Sequence, residues 1–369
     1  MNTPSLRAAL PLLLALSAPL FGQVVTTPAV SPGASVSQTI GITEVKVSYH
    51  RPSVLKRRIW GGLVPYGFND LGFGSSKAAP WRAGANENTT ISFQHDAMFG
   101  GSPIAAGTYG LFMALAEDGT VTVILSHDAG SWGSFFYDPG HDALRVTTKL
   151  EDSPFHELLT YEFGDVTENF AVLALSWGGK RIPVPIRVDT VAVTEATLKQ
   201  ELSSSKGFQY QAWLAASAYL LQNNVDLPLA LEWAEHSVSD SNSGERNFNT
   251  LSNKASVLFK MGREAECNST MDEAMKFATV LDMHQYGRSL LKLGRKERAL
   301  EVFKKNAGEH PGVWPVDYGL ARGYSAMGDY KAALEALTKA QAELPKGDAL
   351  NGAAIKINLD KLQRGVDIN

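Results

Sequence analysis

The sequence has almost no cysteine, since Cys267 is the only one among 369 residues. This excludes an intramolecular disulfide framework and any metal centre built from several cysteines. An excess of positive charge is missing too: Lys+Arg 34 against Asp+Glu 38 gives a formal net charge of −4, which does not favour a nucleic acid or an anionic membrane as partner. Beyond the N-terminus no hydrophobic run is long enough to predict a membrane span. The remaining composition, 44% hydrophobic, predicts about two globular domains.

Residues 1–22 have the pattern of a secretory signal peptide. Arg7 precedes an apolar run from Ala8 to Phe21, which is too short for a membrane span, and Gly22 is a small residue suited to a cleavage site. A single unpaired cysteine fits an oxidising compartment. We therefore expect an exported protein, periplasmic or secreted.

Residues 23–190 alternate with the period of β-strands. Val45, Val47 and Tyr49 share one face of such a segment. Two dipeptides, Asp118-Gly119 and Gly178-Gly179, supply the positive φ angles of tight hairpins and are each predicted to join two strands. Short strands without intervening helical periodicity predict an antiparallel β-sandwich or a barrel-like domain.

Residues 191–369 change to helical periodicity and contain an internal repeat. Gly294 and Gly328 are 34 residues apart, and the same spacing separates Ala299 from Ala333 and Pro311 from Pro345. This is the tetratricopeptide pattern of stacked antiparallel helix pairs. It predicts about four repeats, with Cys267 at a position that usually holds alanine, followed by a capping helix at 349–364. The groove of such an array commonly holds a peptide or protein partner; the alternative is that the array only braces its own β-domain.

Planar polar groups and tryptophans are concentrated in parts of the β-domain. The candidate ligand-binding residues are Arg51, Trp81, Arg82, Asn86, Glu87, Trp132 and Asp138. Aromatic faces stack on apolar ring surfaces while guanidinium, amide and carboxylate groups bind polar edges, so this set suits a sugar or a carboxylate. The alternative interpretation is a buried network in which Arg51 or Arg82 pairs with Glu87.

Several of these residues lie in motifs that resemble a known family. The motifs are Arg51-Pro52, the block Trp81-Arg82-Ala83-Gly84-Ala85-Asn86-Glu87, and the segments 105–110 and 132–138. Over about residues 31–188 the chain resembles the DUF2911 family, a domain of unknown function found in secreted bacterial proteins. The resemblance implies an exported β-rich domain, sometimes followed by tetratricopeptide-like repeats, and implies no reaction. This sequence departs from the family pattern at His50 and in a Gly- and Ser-rich insertion at 68–80.

These patterns favour a non-enzymatic binding or scaffolding protein. The β-domain would bind a small polar ligand or a glycan, and the helical repeats would bind a protein or peptide. A hydrolase acting on envelope or extracellular carbohydrate, using Glu87 with Asp138 or His50, is one alternative, and a purely structural assembly subunit is another. No cofactor or metal is predicted, and the basic run Lys56-Arg57-Arg58 is interpreted as a solvated loop.

Overall fold

The computed structural model describes residues 28–369, so the predicted signal peptide at 1–22 lies outside the described residues. The chain divides into two compact units between Thr190 and Val191. The first unit is built from β-strands and the second from helices. Each is described by itself below.

The first unit contains ten β-strands in two antiparallel sheets. The strands are β1 Gly33–Ile40, β2 Thr43–His50, β3 Thr90–Phe93, β4 Ala97–Phe99, β5 Ser102–Ile104, β6 Gly107–Leu115, β7 Thr120–Ser126, β8 Asp142–Lys149, β9 Glu151–Gly164 and β10 Phe170–Arg187. One sheet has the order β1-β2-β3-β6-β7-β8 and the other β5-β4-β10-β9. Within residues 28–190 the two sheets do not close into a barrel, so the architecture is the sandwich of the two predicted forms.

The core of this unit lies between the sheets. The predicted alternation holds in β2, where Val45 and Val47 are fully buried. Tyr49 of β2 packs edge-on against Tyr161 of β9 with ring centroids 4.7 Å apart, which joins the first sheet to the second. Alternating apolar residues of facing strands thus share one interior, as expected for stacked sheets.

Of the two predicted hairpins, one is confirmed and one is wrong. Asp118-Gly119 lies between β6 and β7, and Gly119 has a φ of +79°. Gly178-Gly179 instead lies inside β10, where Gly178 has a φ of +61° and the pairing with β9 shifts register. The positive φ serves a bulge in one long strand rather than a turn between two short ones.

The second unit is a tetratricopeptide-like solenoid of helix pairs. Its helices are α1 Thr190–Leu202, α2 Tyr210–Asn223, α3 Leu227–Ser239, α4 Phe248–Lys260, α5 Glu264–Ala274, α6 Val280–Lys292, α7 Lys296–Glu309, α8 Trp314–Ala326, α9 Tyr330–Glu343 and α10 Ala349–Gln363. Helices α2 to α9 form four consecutive pairs, and α10 follows as the predicted capping helix.

The repeat residues occupy the places that the pattern assigns to them. Gly294 and Gly328 adopt φ angles of +73° and +80° in the turns between paired helices, where glycine has no steric penalty. Ala299 and Ala333 are fully buried where the helices of a pair approach each other. Cys267, on α5, packs against the cores of two neighbouring repeats.

Candidate functional site

The β-unit contains a cavity of about 500 Å³. Its walls come from residues 30–31, from the loop after β2 (52–57), from residues 63–71 and 79–86, and from Ser134 and Trp177. The long stretch between β2 and β3, which has little regular secondary structure, forms most of these walls. Three predicted site residues line the cavity: Trp81, Arg82 and Asn86.

Stacked tryptophans form one side of the cavity. The backbone N–H of Trp81 donates to the oxygen of Met113 on β6, and the N–H of Met113 donates to the oxygen of Trp81, each at 2.8 Å. These two hydrogen bonds fix Trp81 against the first sheet. Its ring stacks on Trp177 of β10 with centroids 6.0 Å apart and an interplanar angle of 11°. Trp60 contacts both rings edge-on. These contacts hold a flat apolar surface in place, which suits a ring-shaped ligand.

Arg82 is half-buried beside this surface. One nitrogen, Nη1, donates to the backbone oxygen of Asn86 at 2.6 Å, and the guanidinium lies 5.1 Å from the ring centroid of Phe135. Gly133 leaves the space for it, because a Cβ there would lie 2.3 Å from Cζ of Arg82. Burial lowers the pKa of the guanidinium from its ordinary value.

The turn that carries Arg82 and Asn86 has an unusual backbone. Ala83 and Asn86 have φ angles of +51° and +58°, which are uncommon for residues with a side chain. The oxygen of Ala83 accepts hydrogen bonds from the Tyr161 hydroxyl at 3.0 Å and from Thr89 Oγ1 at 3.1 Å. Buried groups therefore hold this turn in its strained form, as is common at binding sites.

Arg57 lines the same cavity, although it is not among the residues predicted for the site. It follows two consecutive residues with left-handed backbone, Leu55 at +48° and Lys56 at +59°. Its side chain then donates to the backbone oxygens of Ser53 at 2.6 Å and Val54 at 3.2 Å. The basic run was interpreted as a solvated loop, and nothing in its composition indicates the turn that brings Arg57 to the cavity. Trp177 of β10 also lines the cavity and was not among the predicted site residues.

The other four predicted site residues lie outside the cavity lining. Arg51 donates to the backbone oxygen of Leu159 at 2.9 Å and to Thr160 Oγ1 at 2.7 Å, so it ties the loop after β2 to β9. Glu87 is exposed, and its Oε2 lies 3.3 Å from Nδ1 of His50. The alternative network, in which Arg51 or Arg82 pairs with Glu87, is therefore not formed.

Trp132 and Asp138 belong to the loop that precedes β8. Trp132 is 55% exposed. Asp138 is exposed and accepts a hydrogen bond from the backbone of Gly140 at 2.8 Å, which caps a short 3₁₀ helix. A carboxylate with this local capping role, outside the cavity, does not supply the second acid that a glycosidase requires.

A second cavity, of about 340 Å³, lies in the helical unit. It is formed mainly by α4, α5 and α6, and its apolar lining includes Phe248, Phe259, Met271, Tyr286 and Leu293. Phe259 is 36% and Leu293 57% exposed, so this lining presents apolar area to solvent. It is a candidate for the partner-binding groove predicted for the array.

Two further observations concern the described residues only. In the range 28–369 no group of three or more His, Cys, Asp and Glu side chains is arranged to hold a metal ion. None of the helices described above is both long and apolar enough to cross a membrane.

Residues 31–186 match a family described as "Protein of unknown function (DUF2911)". The match confirms the resemblance and covers nearly all of the β-unit. No curated protein matches the chain.

Solved structures resemble the helical unit. One is the C-terminal part of a TPR repeat-containing protein from Cytophaga hutchinsonii, at 15% identity over 47% of this chain and 67% of that one, with a TM-score of 0.35. Another is YrrB, described as a TPR protein with an unusual peptide-binding site, at 18% identity over 45% and 84% of the two chains, with a TM-score of 0.30. MamA matches at 15% identity over 42% and 88%, with a TM-score of 0.31. At such identities and scores these similarities carry no argument about function.

Proposed function

We propose that this protein is an exported, non-enzymatic binding protein whose β-unit holds a small polar ligand or glycan. The observation that carries the proposal is the cavity lined by Trp81, Arg82 and Asn86, in which the Trp81 ring is held by stacking on Trp177. Its volume of about 500 Å³ is that of a small-molecule site, and its lining combines an apolar surface with a few fixed polar groups.

The helical unit is proposed to bind a peptide or protein segment. The support is the apolar groove between α4 and α6, which presents Phe259 and Leu293 to solvent. Exposed apolar side chains in a groove are the usual anchors for a bound segment.

The two alternatives lack such support. The hydrolase alternative uses Glu87 with Asp138 or His50, and none of these three residues lines the cavity. The alternative of a purely structural subunit does not account for the polar side chains of Arg82 and Asn86 in a mainly apolar lining beside Trp81.

A thermal-shift screen against glycans and organic acids, followed by titration of tryptophan fluorescence, tests the β-unit. Leu63 lines the cavity and is 43% exposed, so Leu63→Trp should reduce the cavity volume without disturbing the core. Val166→Trp, at a 45% exposed position outside the lining, is the matched control. We expect hits that weaken at least tenfold in Leu63→Trp and are unchanged in Val166→Trp. A screen without hits, or hits unaffected by Leu63→Trp, contradicts the proposal.

Selection of displayed peptides against the full chain tests the helical groove. Leu293→Asp places a charge in the groove, and Leu350→Asp places the same charge on α10, where Leu350 is 82% exposed. Peptides that bind the groove should lose binding only in Leu293→Asp. Peptides that bind both variants equally would show that this groove is not the contact surface.

A further inference from the structure

We infer that the cavity of the β-unit is a site for an organic anion, a carboxylate carried on a small ring. This deepens the proposed function and rests on it. The inference comes from the charges that line the cavity, from the unmet hydrogen-bonding capacity of those groups, and from the flat apolar surface beside them.

Arg82 is the first observation. A guanidinium has five N–H donors, and in Arg82 a single hydrogen bond, to the backbone oxygen of Asn86, is formed within the described residues. Two other arginines of this unit have carboxylate partners: Arg145 pairs with Asp142 at 2.6 Å, and Arg181 with Glu151 at 2.9 Å. Arg82 forms no ion pair in the part of the chain that the structure describes, although it is half-buried. Its remaining N–H donors are therefore open to a group in the cavity, and an anion there would offset the partial loss of hydration of the guanidinium.

The lining of the cavity carries a second positive charge and no negative one. Arg57 is a second cation, and like Arg82 it has no ion pair among residues 28–369. None of the residues that line the cavity is an aspartate or a glutamate. The β-unit as a whole contains more acidic than basic residues, so the positive cavity is a local feature that the composition does not explain.

The tryptophans define the rest of the ligand. Trp177 is only 1% exposed, lines the cavity, and its Nε1–H has no acceptor among the described residues. Because that nitrogen is shielded from solvent, Trp177 contributes to the site as the buried support on which Trp81 stacks. The half-buried ring of Trp81, which lines the cavity, suits a flat ring next to the charged group. A carboxylate fits best, because the planar guanidinium fork binds it through two parallel hydrogen bonds.

The test uses pairs of probes that share a shape and differ in charge. Benzoate is compared with benzamide, and glucuronate with glucose, by isothermal titration of the full chain at low salt and neutral pH. We expect at least one acid to bind about tenfold or more tightly than its neutral partner, since charge-assisted hydrogen bonds are about twice as strong as neutral ones. Added salt should weaken the acid only.

Two variants test whether Arg82 is responsible for the preference for the acid. Arg82→Met should abolish the preference for the acid. Because Arg82→Met also removes a contact with Asn86, Asn86→Asp provides a second route: it adds a carboxylate beside Arg82 and gives up only a 3.4 Å hydrogen bond to Ser31. Asparagine and aspartate both tolerate the positive φ at this position. The matched control is Asn169→Asp, on the exposed loop between β9 and β10.

The outcomes separate the two proposals. A preference for the acid that is lost in Arg82→Met and Asn86→Asp, and kept in Asn169→Asp, supports the anion site. Equal binding of acid and neutral probe, blocked by Leu63→Trp, overturns the inference and leaves the proposed function standing. A preference for the acid that persists in both site variants places the anion elsewhere and overturns the inference. Absence of binding by all four probes overturns it as well.

Discussion

Tyr161 connects the strained turn of the cavity to the second sheet. It is 3% exposed, its hydroxyl donates to the oxygen of Ala83 at 3.0 Å, and its backbone N–H donates to the hydroxyl of Tyr49 at 3.1 Å. Burial raises the pKa of this phenol well above its ordinary value, so the hydroxyl keeps its proton and remains a donor. One buried side chain therefore fixes the backbone from which Arg82 extends.

Removal of that hydroxyl should cost stability. In Tyr161→Phe the oxygen of Ala83 keeps only its bond from Thr89, and we expect the free energy of unfolding to fall by about 1 kcal/mol. Tyr66→Phe is the control, because Tyr66 is 37% exposed and its hydroxyl is not needed by this turn. Urea unfolding measures both variants. Equal stability of the two would show that the hydroxyl does not hold the turn.

His284 should make the helical unit sensitive to acid. It is 9% exposed, and burial together with the nearby Arg288 lowers its pKa to about 4. Between about pH 6.5 and pH 4 the unfolded chain binds a proton at this residue that the folded chain does not, so stability falls as the pH falls through this range. The loss from this residue is about 3 kcal/mol.

The measurement is denaturant unfolding at pH 7.5 and at pH 4.5 for the original chain and for His284→Gln. Carboxylates contribute to the acid sensitivity of both proteins, so the informative quantity is the difference between them. The variant should lose less stability on acidification. If both proteins lost the same amount of stability on acidification, His284 would be protonated as readily in the folded chain as in the unfolded one.

At the scale of elements, two glycines of the same helix pair should respond oppositely to a methyl group. A Cβ on Gly287 of α6 would lie 2.5 Å from ring atoms of Phe303, which is fully buried on α7. Gly308, also on α7, has no atom within 4 Å of that position. Close approach of the helices requires the first glycine, whereas the second only adds flexibility to the unfolded chain.

We therefore expect Gly287→Ala to lower the free energy of unfolding by about 1–3 kcal/mol through overpacking. Gly308→Ala should raise it by about 0.5–1 kcal/mol through helix propensity. Thermal and urea unfolding of the two variants and of the original chain measure both changes in the free energy of unfolding. If Gly287→Ala left the free energy of unfolding unchanged or raised it, the packing of α6 on α7 would not depend on Gly287.

Elements were predictable where one local pattern determines them. The repeat spacing of Gly294 and Gly328 identified the helix pairs, because each glycine is needed at a particular turn. Gly178 shows the limit of this reasoning: a positive φ serves a hairpin or a bulge equally well, and the pairing of β10 with β9, which is not local, decides between them.

The candidate site was predictable only in part, for the same reason. Trp81, Arg82 and Asn86 lie close together in sequence, and the turn at 83–86 keeps them together in space. Arg57 and Trp177 reach the cavity from segments far away along the chain. Arg51 has the chemistry expected of a ligand-binding residue, but its guanidinium donates its hydrogen bonds to β9 instead. The residue types in the sequence predicted the kind of site, whereas packing between distant segments determines which residues line it.

At the scale of the whole molecule, the chain has two cores of different construction. The β-unit buries Leu175 and Phe112 between sheets, whereas the helical unit buries Phe303 and Leu337 between repeats. A unit with its own hydrophobic core is able in principle to fold alone. The proposed anion site uses residues of the first unit only, and the proposed peptide groove uses residues of the second only.

We expect fragments 28–190 and 191–369 to fold separately and to keep their own binding activities. The first should show a β-type circular dichroism spectrum, and the second a helical one with a cooperative thermal transition, because stacked repeats unfold together with their neighbours. Fragment 28–190 should prefer an acid over its neutral analogue to the same degree as the full chain, since Arg57, Arg82 and Trp177 all lie within it. The sum of the two fragment spectra should reproduce that of the full chain. A fragment 28–190 that folds but no longer distinguishes acid from neutral probe would show that the helical unit is needed for the site.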